Sequence, residues 1–122
     1  MNEKLKEALE NTCEDLGLRF YYSATDAGHE YVEIEGQSPA GEDLIVSLVD
    51  DELNDGGSIV KALYNNWDWF DADEHAAEWY GANRGEPKSL RVLLDDADAI
   101  KEMYGDLYAK VKAGLIKAGF YC

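Results

Sequence analysis

Carboxylates are concentrated in the middle of this chain, and they are the side chains with the most obvious chemical potential. Residues 20–83 contain fifteen Asp and Glu residues and one basic residue, Lys61, so this stretch supplies −14 of the formal net charge of −15. A designed domain of this size usually carries a charge magnitude of ~2 to 8. The excess predicts a strongly negative surface that attracts a basic partner.

The spacing of these carboxylates is similar to that of nucleic-acid phosphates. On a helix, side chains three or four residues apart have Cβ atoms ~5–6 Å apart, comparable with successive phosphates along one strand. This spacing occurs at Asp71, Glu74 and Glu78 and at Asp95, Asp98, Glu102 and Asp106. A positively charged nucleic-acid cleft would be drawn to such a surface. The alternative interpretation is that the acids only keep a small protein in solution.

Aromatic residues are interleaved with these acids at Trp67, Trp69, Phe70, Trp79 and Tyr80. Most of them are expected in the core, because Trp67 and Trp79 fall on apolar helix faces. Trp69 and Phe70 follow Trp67 at spacings of two and three, so at least one of them is expected to face outward. An exposed aromatic ringed by acids is typical of an interface anchor. The predicted partner-binding residues are Asp50, Asp51, Glu52, Asp55, Asp68, Trp69, Phe70, Asp71, Asp73, Glu74 and Glu78.

His75 is the candidate for metal-dependent chemistry. On a helix, His75 and Glu78 share a face one turn apart and could together ligate a divalent cation. The other histidine, His29, lies far away in the sequence. A calcium loop of the EF-hand type is excluded, because Gly56 at its sixth position would place a leucine at the third and an alanine at the twelfth. Because the second histidine is far away in the sequence and no calcium loop is present, we predict no metal ligand.

Several other classes of site have no motif. The glycines lack P-loop and dinucleotide-binding spacing, and Cys13 would need His29 or His75 beside it to act as a nucleophile. Cys13 and Cys122 form neither a disulfide framework nor a zinc motif. Residues 1–16 lack the apolar run of a signal peptide, and no apolar run approaches the ~20 residues that span a bilayer. The sequence predicts a cytoplasmic protein with no cofactor, no catalytic residue and no membrane contact.

Hydrophobic periodicity predicts the elements that must position these residues. The expected elements are, in order, a helix at residues 2–16, strands at 18–23, 30–35 and 44–49, and helices that begin at Ser58, Asp71 and Ser89 as N-caps. Residues 50–57 and 82–88 are expected to be loops, and Gly81 is expected to end the second-last helix. The last helix extends to Ala118, with a possible break at Asp95-Asp96.

The strand at residues 44–49 is almost continuously apolar, which favours a central strand or one covered on both faces. The predicted fold is therefore α+β, with a three-stranded antiparallel sheet, helices packed on one face and the order α-β-β-β-α-α-α. One domain is expected to span residues 1–122.

Four segments also carry a resemblance to known proteins. They are Ser38-Pro39-Ala40-Gly41-Glu42-Asp43, Asp71 through Glu74-His75 to Trp79-Tyr80, Pro87-Lys88-Ser89-Leu90-Arg91, and Leu93-Leu94-Asp95-Asp96-Ala97. Together they resemble the small acidic proteins carried by phages and conjugative elements of gut Firmicutes. The resemblance implies a mobile-element setting, in which acidic proteins of similar charge include antirestriction and anti-CRISPR inhibitors that occupy the nucleic-acid site of a defence enzyme.

The charge, the aromatic residues and this resemblance favour a non-enzymatic binding protein of a phage or mobile element. Its acidic surface would mimic nucleic-acid phosphates and inhibit a basic nucleic-acid-binding host protein, without binding nucleic acid itself. One alternative is a structural or regulatory module that dimerises through exposed apolar positions of residues 90–118. The other is a metal-dependent enzyme around His75. The sequence is compatible with a monomer or a homodimer.

Overall fold

The computed structural model describes residues 1–82 and 89–121, which form a three-stranded antiparallel sheet and four helices. The elements are α1 (Glu3–Asp15), β1 (Arg19–Ala24), β2 (Glu30–Gln37), β3 (Asp43–Val49), a 3₁₀ turn (Asp50–Leu53), α2 (Gly56–Trp69), α3 (Ala72–Ala82) and α4 (Leu90–Lys117). This order confirms the predicted α+β fold. The predicted loop at residues 82–88 lies, from Asn83 onward, outside the described residues, as does Cys122.

The three strands form a meander, so β2 lies in the centre of the sheet and β1 and β3 are its edges. Our prediction of a central or doubly covered strand at residues 44–49 is wrong. Consecutive strands joined by short turns pair in order, and the third strand of such a meander is left at an edge. Every second residue of β3 is buried, whereas Ile45 and Val49 are 49% and 43% exposed.

The main hydrophobic core lies between one face of the sheet and the helices α1, α2 and α4. Its most deeply buried side chains include Leu5, Leu9, Val32, Ile34, Leu48, Ile59, Leu63, Leu107, Val111 and Leu115. A smaller cluster of Ala76, Leu93 and Ala97 joins α3 to the first half of α4. Among the described helices, none combines the length and apolar character needed to cross a bilayer.

Helix α2 begins three residues earlier than predicted. The carboxylate of Asp55 accepts a hydrogen bond from the Ser58 amide at 2.7 Å, so Asp55 and not Ser58 is the N-cap. Residues 50–53, where we expected a loop, form the 3₁₀ turn. Only glycine fits at the first position of the helix, because a Cβ at Gly56 would collide with the carbonyl oxygen of Phe120.

A polar junction ties the β2–β3 turn to helices α3 and α4. The buried carboxylate of Asp96 accepts hydrogen bonds from the Ser38 hydroxyl and the Ala40 amide, both at 2.8 Å. In the same turn, a carboxylate oxygen of Glu42 lies 2.7 Å from Nε2 of His75. These five residues, here termed the turn junction, come from three of the four segments that carry the resemblance.

Helix α4 is continuous over 28 residues, without a break at Asp95-Asp96. The buried Asp96 side chain is bound to the β2–β3 turn, so it does not compete for the backbone amides of its own helix. The predicted N-cap of α4 is confirmed, since the Ser89 hydroxyl accepts a hydrogen bond from the Val92 amide at 3.3 Å. Gly81 does not end α3, which continues to Ala82.

Asp96→Ala is expected to lower the free energy of unfolding by about 2–3 kcal/mol, because it leaves the Ser38 hydroxyl and the Ala40 amide without a charged acceptor. Asp95→Ala is the matched control: Asp95 is exposed on the same helix, and its loss should change stability by less than about 0.5 kcal/mol. Urea unfolding followed by circular dichroism measures both. Equal stabilities of the two variants would contradict the role assigned to Asp96.

Gly56→Ala is expected to destabilise the protein and Gly81→Ala to stabilise it. A Cβ at Gly56 collides with the Phe120 carbonyl, whereas a Cβ at Gly81 meets nothing within 4 Å. In a helix, Ala is more stable than Gly by about 0.5–1 kcal/mol, so only steric collision can reverse the sign. Thermal unfolding compares the two Tm values. A stabilised Gly56→Ala variant would show that Phe120 does not pack on the start of α2.

Candidate functional site

Predicted acidic and aromatic residues meet where α2 turns into α3. Phe70 follows α2 in an extended conformation, with φ of −73° and ψ of 115°, and redirects the chain. The carboxylate of Asp71 then accepts a hydrogen bond from the Glu74 amide at 3.1 Å. This contact satisfies a free amide in the first turn of α3, as an N-cap does. Residues 68–78 are here termed the corner.

Lys101 of α4 holds the corner in place. Its ammonium group donates hydrogen bonds to the carbonyl oxygens of Trp67 at 2.9 Å and Phe70 at 2.7 Å. It also lies 5.2 Å from the centroid of the Trp67 ring, within range of a cation–π attraction. A cation at this position satisfies free carbonyls at the end of α2 and opposes the partial negative charge there.

The aromatic residues of the corner point in opposite directions. Trp69 projects into solvent with 77% of its surface exposed. Phe70 turns inward, with its ring centroid 5.0 Å from that of His75 and 5.3 Å from that of Tyr104. This confirms the prediction that at least one of the pair faces outward. The other two tryptophans, which were expected in the core, are half-buried, and Tyr80 is 39% exposed.

Two neighbouring depressions share Trp69, Phe70 and Asp71 in their walls. The larger has a volume of about 520 Å³ and is also lined by Asp68, Ala72, Asp73, Asp98 and Lys101. The smaller has a volume of about 220 Å³ and is also lined by Glu74, His75 and Glu78. The exposed indole of Trp69 is therefore bordered by carboxylates in both depressions, a setting suited to an apolar side chain or a cation from a partner.

Six exposed carboxylates belong to these depressions: Asp68, Asp71, Asp73, Glu74, Glu78 and Asp98. Five of them are predicted partner-binding residues, which the structure brings together around Trp69. The sixth, Asp98, was missed as a site residue. Its helical spacing is visible in the sequence, but only the packing of α3 on α4 brings it beside the corner.

The predicted acids of residues 50–55 form a separate group with local structural contacts. Asp50, with φ of 46°, accepts a hydrogen bond from the Glu30 amide at 3.0 Å. Glu52 accepts one from the Val49 amide at 3.0 Å. Together with the N-cap Asp55, three of the four acids in this group therefore bind the backbone.

These two acidic groups lie at opposite ends of α2. The helix has 14 residues, and a rise of ~1.5 Å per residue separates its ends by ~21 Å. Asp51, the fourth acid of residues 50–55, is exposed and borders a different depression together with Lys61. The structure therefore divides the predicted partner-binding residues between two places.

His75, the candidate for metal-dependent chemistry, contacts Glu42 and not Glu78. Its Nε2 lies 2.7 and 2.8 Å from the two carboxylate oxygens of Glu42. Nδ1 of His29 lies 3.4 Å from a carboxylate oxygen of Asp50. Within residues 1–82 and 89–121, no group of three or more His, Cys, Asp or Glu side chains is placed so that it could hold a metal ion.

Cys13 is buried within the core on α1. Burial, with smaller contributions from the negative charges of Glu10 and Glu14, raises the pKa of its thiol from 9.0 to about 12. Because the thiolate and not the thiol is the nucleophile, this environment suppresses its reactivity near neutral pH. The environment of Cys13 therefore supports a packing role.

Trp69→Phe is expected to remove the most easily quenched tryptophan fluorescence with little change in stability. In the wild-type protein, Cs⁺ should quench this fluorescence more strongly than I⁻, because the surrounding carboxylates attract cations and repel anions. Added NaCl should reduce the difference.

Trp67→Phe is the control for this experiment. It should keep the quenchable fluorescence but lower the free energy of unfolding by about 1 kcal/mol, because the Trp67 indole contacts Lys101 and lies over Gly105, where a Cβ would come within 3.2 Å of Nε1. Equal quenching of the wild-type protein by Cs⁺ and I⁻ would contradict an acidic environment around Trp69.

Comparisons of this chain with protein-family models, with curated proteins and with solved structures gave no match. The resemblance to small acidic proteins of mobile elements stays a prediction. A function for the chain has to be inferred from the geometry and the charge of the corner.

Proposed function

We propose that this chain is a non-enzymatic binding protein of a phage or another mobile element, and that its acidic corner occupies the nucleic-acid-binding cleft of a basic host defence protein. The result is inhibition of the anti-CRISPR or antirestriction type. The observation that carries the proposal is the 77% exposure of Trp69 among six exposed carboxylates. An aromatic anchor surrounded by a polar rim is a common arrangement in protein interfaces.

The charge of the corner supports a basic partner. Among the residues that line the two depressions, five carboxylates of the corner and Asp98 beside it are accompanied by one lysine, Lys101, which is already bound to two backbone carbonyls. An exposed ion pair contributes only ~0–1 kcal/mol of free energy. Most of the affinity therefore comes from a source other than the acids. Their main effects are faster association and rejection of acidic proteins, and both weaken as salt screens the charges over ~8–10 Å.

Trp69 is the residue that supplies affinity in this proposal. When a partner buries an exposed indole, the burial contributes about 1.5–3 kcal/mol or more to the binding free energy. Truncation of an interface anchor of this kind usually costs about 2–4 kcal/mol of binding free energy. The aromatic anchor should therefore set the dissociation rate, whereas the carboxylates set the association rate.

The alternative of self-association through α4 has less support. Its exposed large apolar side chains are Leu90, Val92 and Ile116, and the first two lie ~39 Å and ~36 Å from the third along a straight helix. The apolar residues between them, including Ile100 and Leu107, are buried. A helix pair needs a continuous apolar stripe, which α4 does not offer.

A variant with Asp68→Lys, Asp73→Lys and Asp98→Lys is expected to lose binding to the defence protein. Tagged wild-type protein should retain a nucleic-acid enzyme from a bacterial lysate at low salt, release it as salt rises, and release it when DNA or RNA is added. The triple variant should retain none of it. These three acids line the larger depression, whereas Asp71 is kept because it binds the first turn of α3.

A second triple variant controls for total charge. Glu7→Lys, Glu14→Lys and Asp26→Lys make the same change in net charge at exposed positions on α1 and in the β1–β2 turn. This variant should bind as the wild type does, apart from a modest loss of association rate at low salt. Equal loss of binding in both variants would show that total charge, and not the corner, attracts the enzyme.

A further inference from the structure

The face of the sheet opposite the helices is open. Four of its side chains are large, apolar or aromatic, and well exposed: Tyr21 at 49%, Tyr31 at 37%, Ile45 at 49% and Val49 at 43%. In the described part of the chain, the other six exposed large apolar side chains are divided among three helices. The open face therefore carries more of these exposed side chains than any one of those helices.

Strand register gives each central glutamate of this face one apolar or aromatic neighbour and one polar or charged neighbour, Ser47 beside Glu33 and Arg19 beside Glu35. Glu33 and Glu35 lie in the middle, on β2. Tyr21 of β1 pairs with Glu33, and Ile45 of β3 pairs with Glu35. At one end of this face, the Tyr31 ring lies beside Val49, close enough for the two side chains to pack together, while the Tyr31 hydroxyl donates a hydrogen bond to the Glu33 carboxylate at 2.8 Å.

The charge of the face selects a basic occupant. Its acids are Glu33, Glu35 and Asp43, and its single base is Arg19, 3.4 Å from the Glu35 carboxylate. The formal charge of the face is therefore −2. A second copy of this chain is disfavoured as the occupant, because it would bring identical acids together within two chains that each carry −15.

The dimensions of the face suit an α-helix. Three strands spaced ~4.8 Å apart place the outer strand axes ~10 Å apart, and a helix with its side chains is ~10–12 Å wide. Glu33 and Glu35 are ~6.6 Å apart along β2. Basic side chains at i and i+4 of a helix are separated by ~6 Å and can therefore face both carboxylates, with apolar side chains beside Tyr21 and Ile45.

We propose that the open face of the sheet, at Tyr21, Tyr31, Glu33, Glu35, Ile45 and Val49, is a second docking surface that receives a basic amphipathic α-helix of a partner protein. The site is independent of the corner: none of its residues contributes to the depressions around Trp69. One face of the sheet then packs on the chain's own helices and the other on a helix supplied from outside.

The probe is a synthetic amphipathic peptide of about 18 residues, ~27 Å long as a helix, with leucines on one face and lysines at i, i+4 spacing beside them. Titration into ¹⁵N-labelled protein at physiological salt should shift the amide signals of β1, β2 and β3. A peptide in which glutamate replaces every lysine should bind at least about tenfold more weakly. No binding of the lysine peptide, or equal binding of both, would overturn the proposal.

Protein variants place the binding site and separate it from the corner. Tyr31→Ser with Ile45→Ser should weaken binding about tenfold, whereas Tyr64→Ser with Ile116→Ser, at helix positions of similar exposure, should leave it unchanged. The triple variant of Asp68, Asp73 and Asp98 should also bind normally. Signal shifts confined to the corner and lost in that triple variant would overturn the second surface while leaving the corner proposal standing.

Discussion

The hydrogen bonds of Asp96 fix the first half of the longest helix to one end of the sheet. The buried carboxylate ties α4 to the β2–β3 turn, and the next residue, Ala97, packs against Ala76 of α3. Lys101 follows on the same helix and meets the carbonyls at the end of α2. Displacement of α4 relative to the turn would therefore move Lys101 away from the corner and change how Trp69 is presented.

Carboxylates have two roles in this chain, and total charge does not distinguish them. Asp55, Asp71 and Asp96 accept backbone hydrogen bonds and thereby fix two helix starts and one turn. Asp68 and Asp98, in contrast, lie exposed in the wall of a depression. Acids of the second kind are available to a partner at little cost to folding, and their concentration around one exposed indole distinguishes the corner from an evenly acidic surface.

Features with a local cause were predictable from the sequence. The i, i+4 spacing of Leu5, Leu9 and Cys13 predicts α1 and its buried face, and the position of Ser89 before a periodic run predicts the start of α4. The incorrect and missed features depend on distant residues. An apolar run does not show how many faces of a strand are covered, although the short turns between consecutive strands place β3 at an edge. Asp98 comes to lie beside the corner only after α4 packs against α3. Asp55 rather than Ser58 caps α2, so Gly56 lies in the first turn of the helix. Glycine is needed there because a Cβ would collide with Phe120, which is far away in the sequence.

The turn junction and the corner use almost entirely different side chains. Ser38, Ala40 and Asp96 hold turn and helix together from buried or half-buried positions, whereas Trp69, Asp73 and Asp98 face solvent and support no other element. The fold can therefore be kept while these exposed residues are substituted. A library randomised at those exposed positions, with the junction kept intact, would offer a compact scaffold from which binders of basic clefts can be selected. The specificity of each would depend on a small number of surface residues.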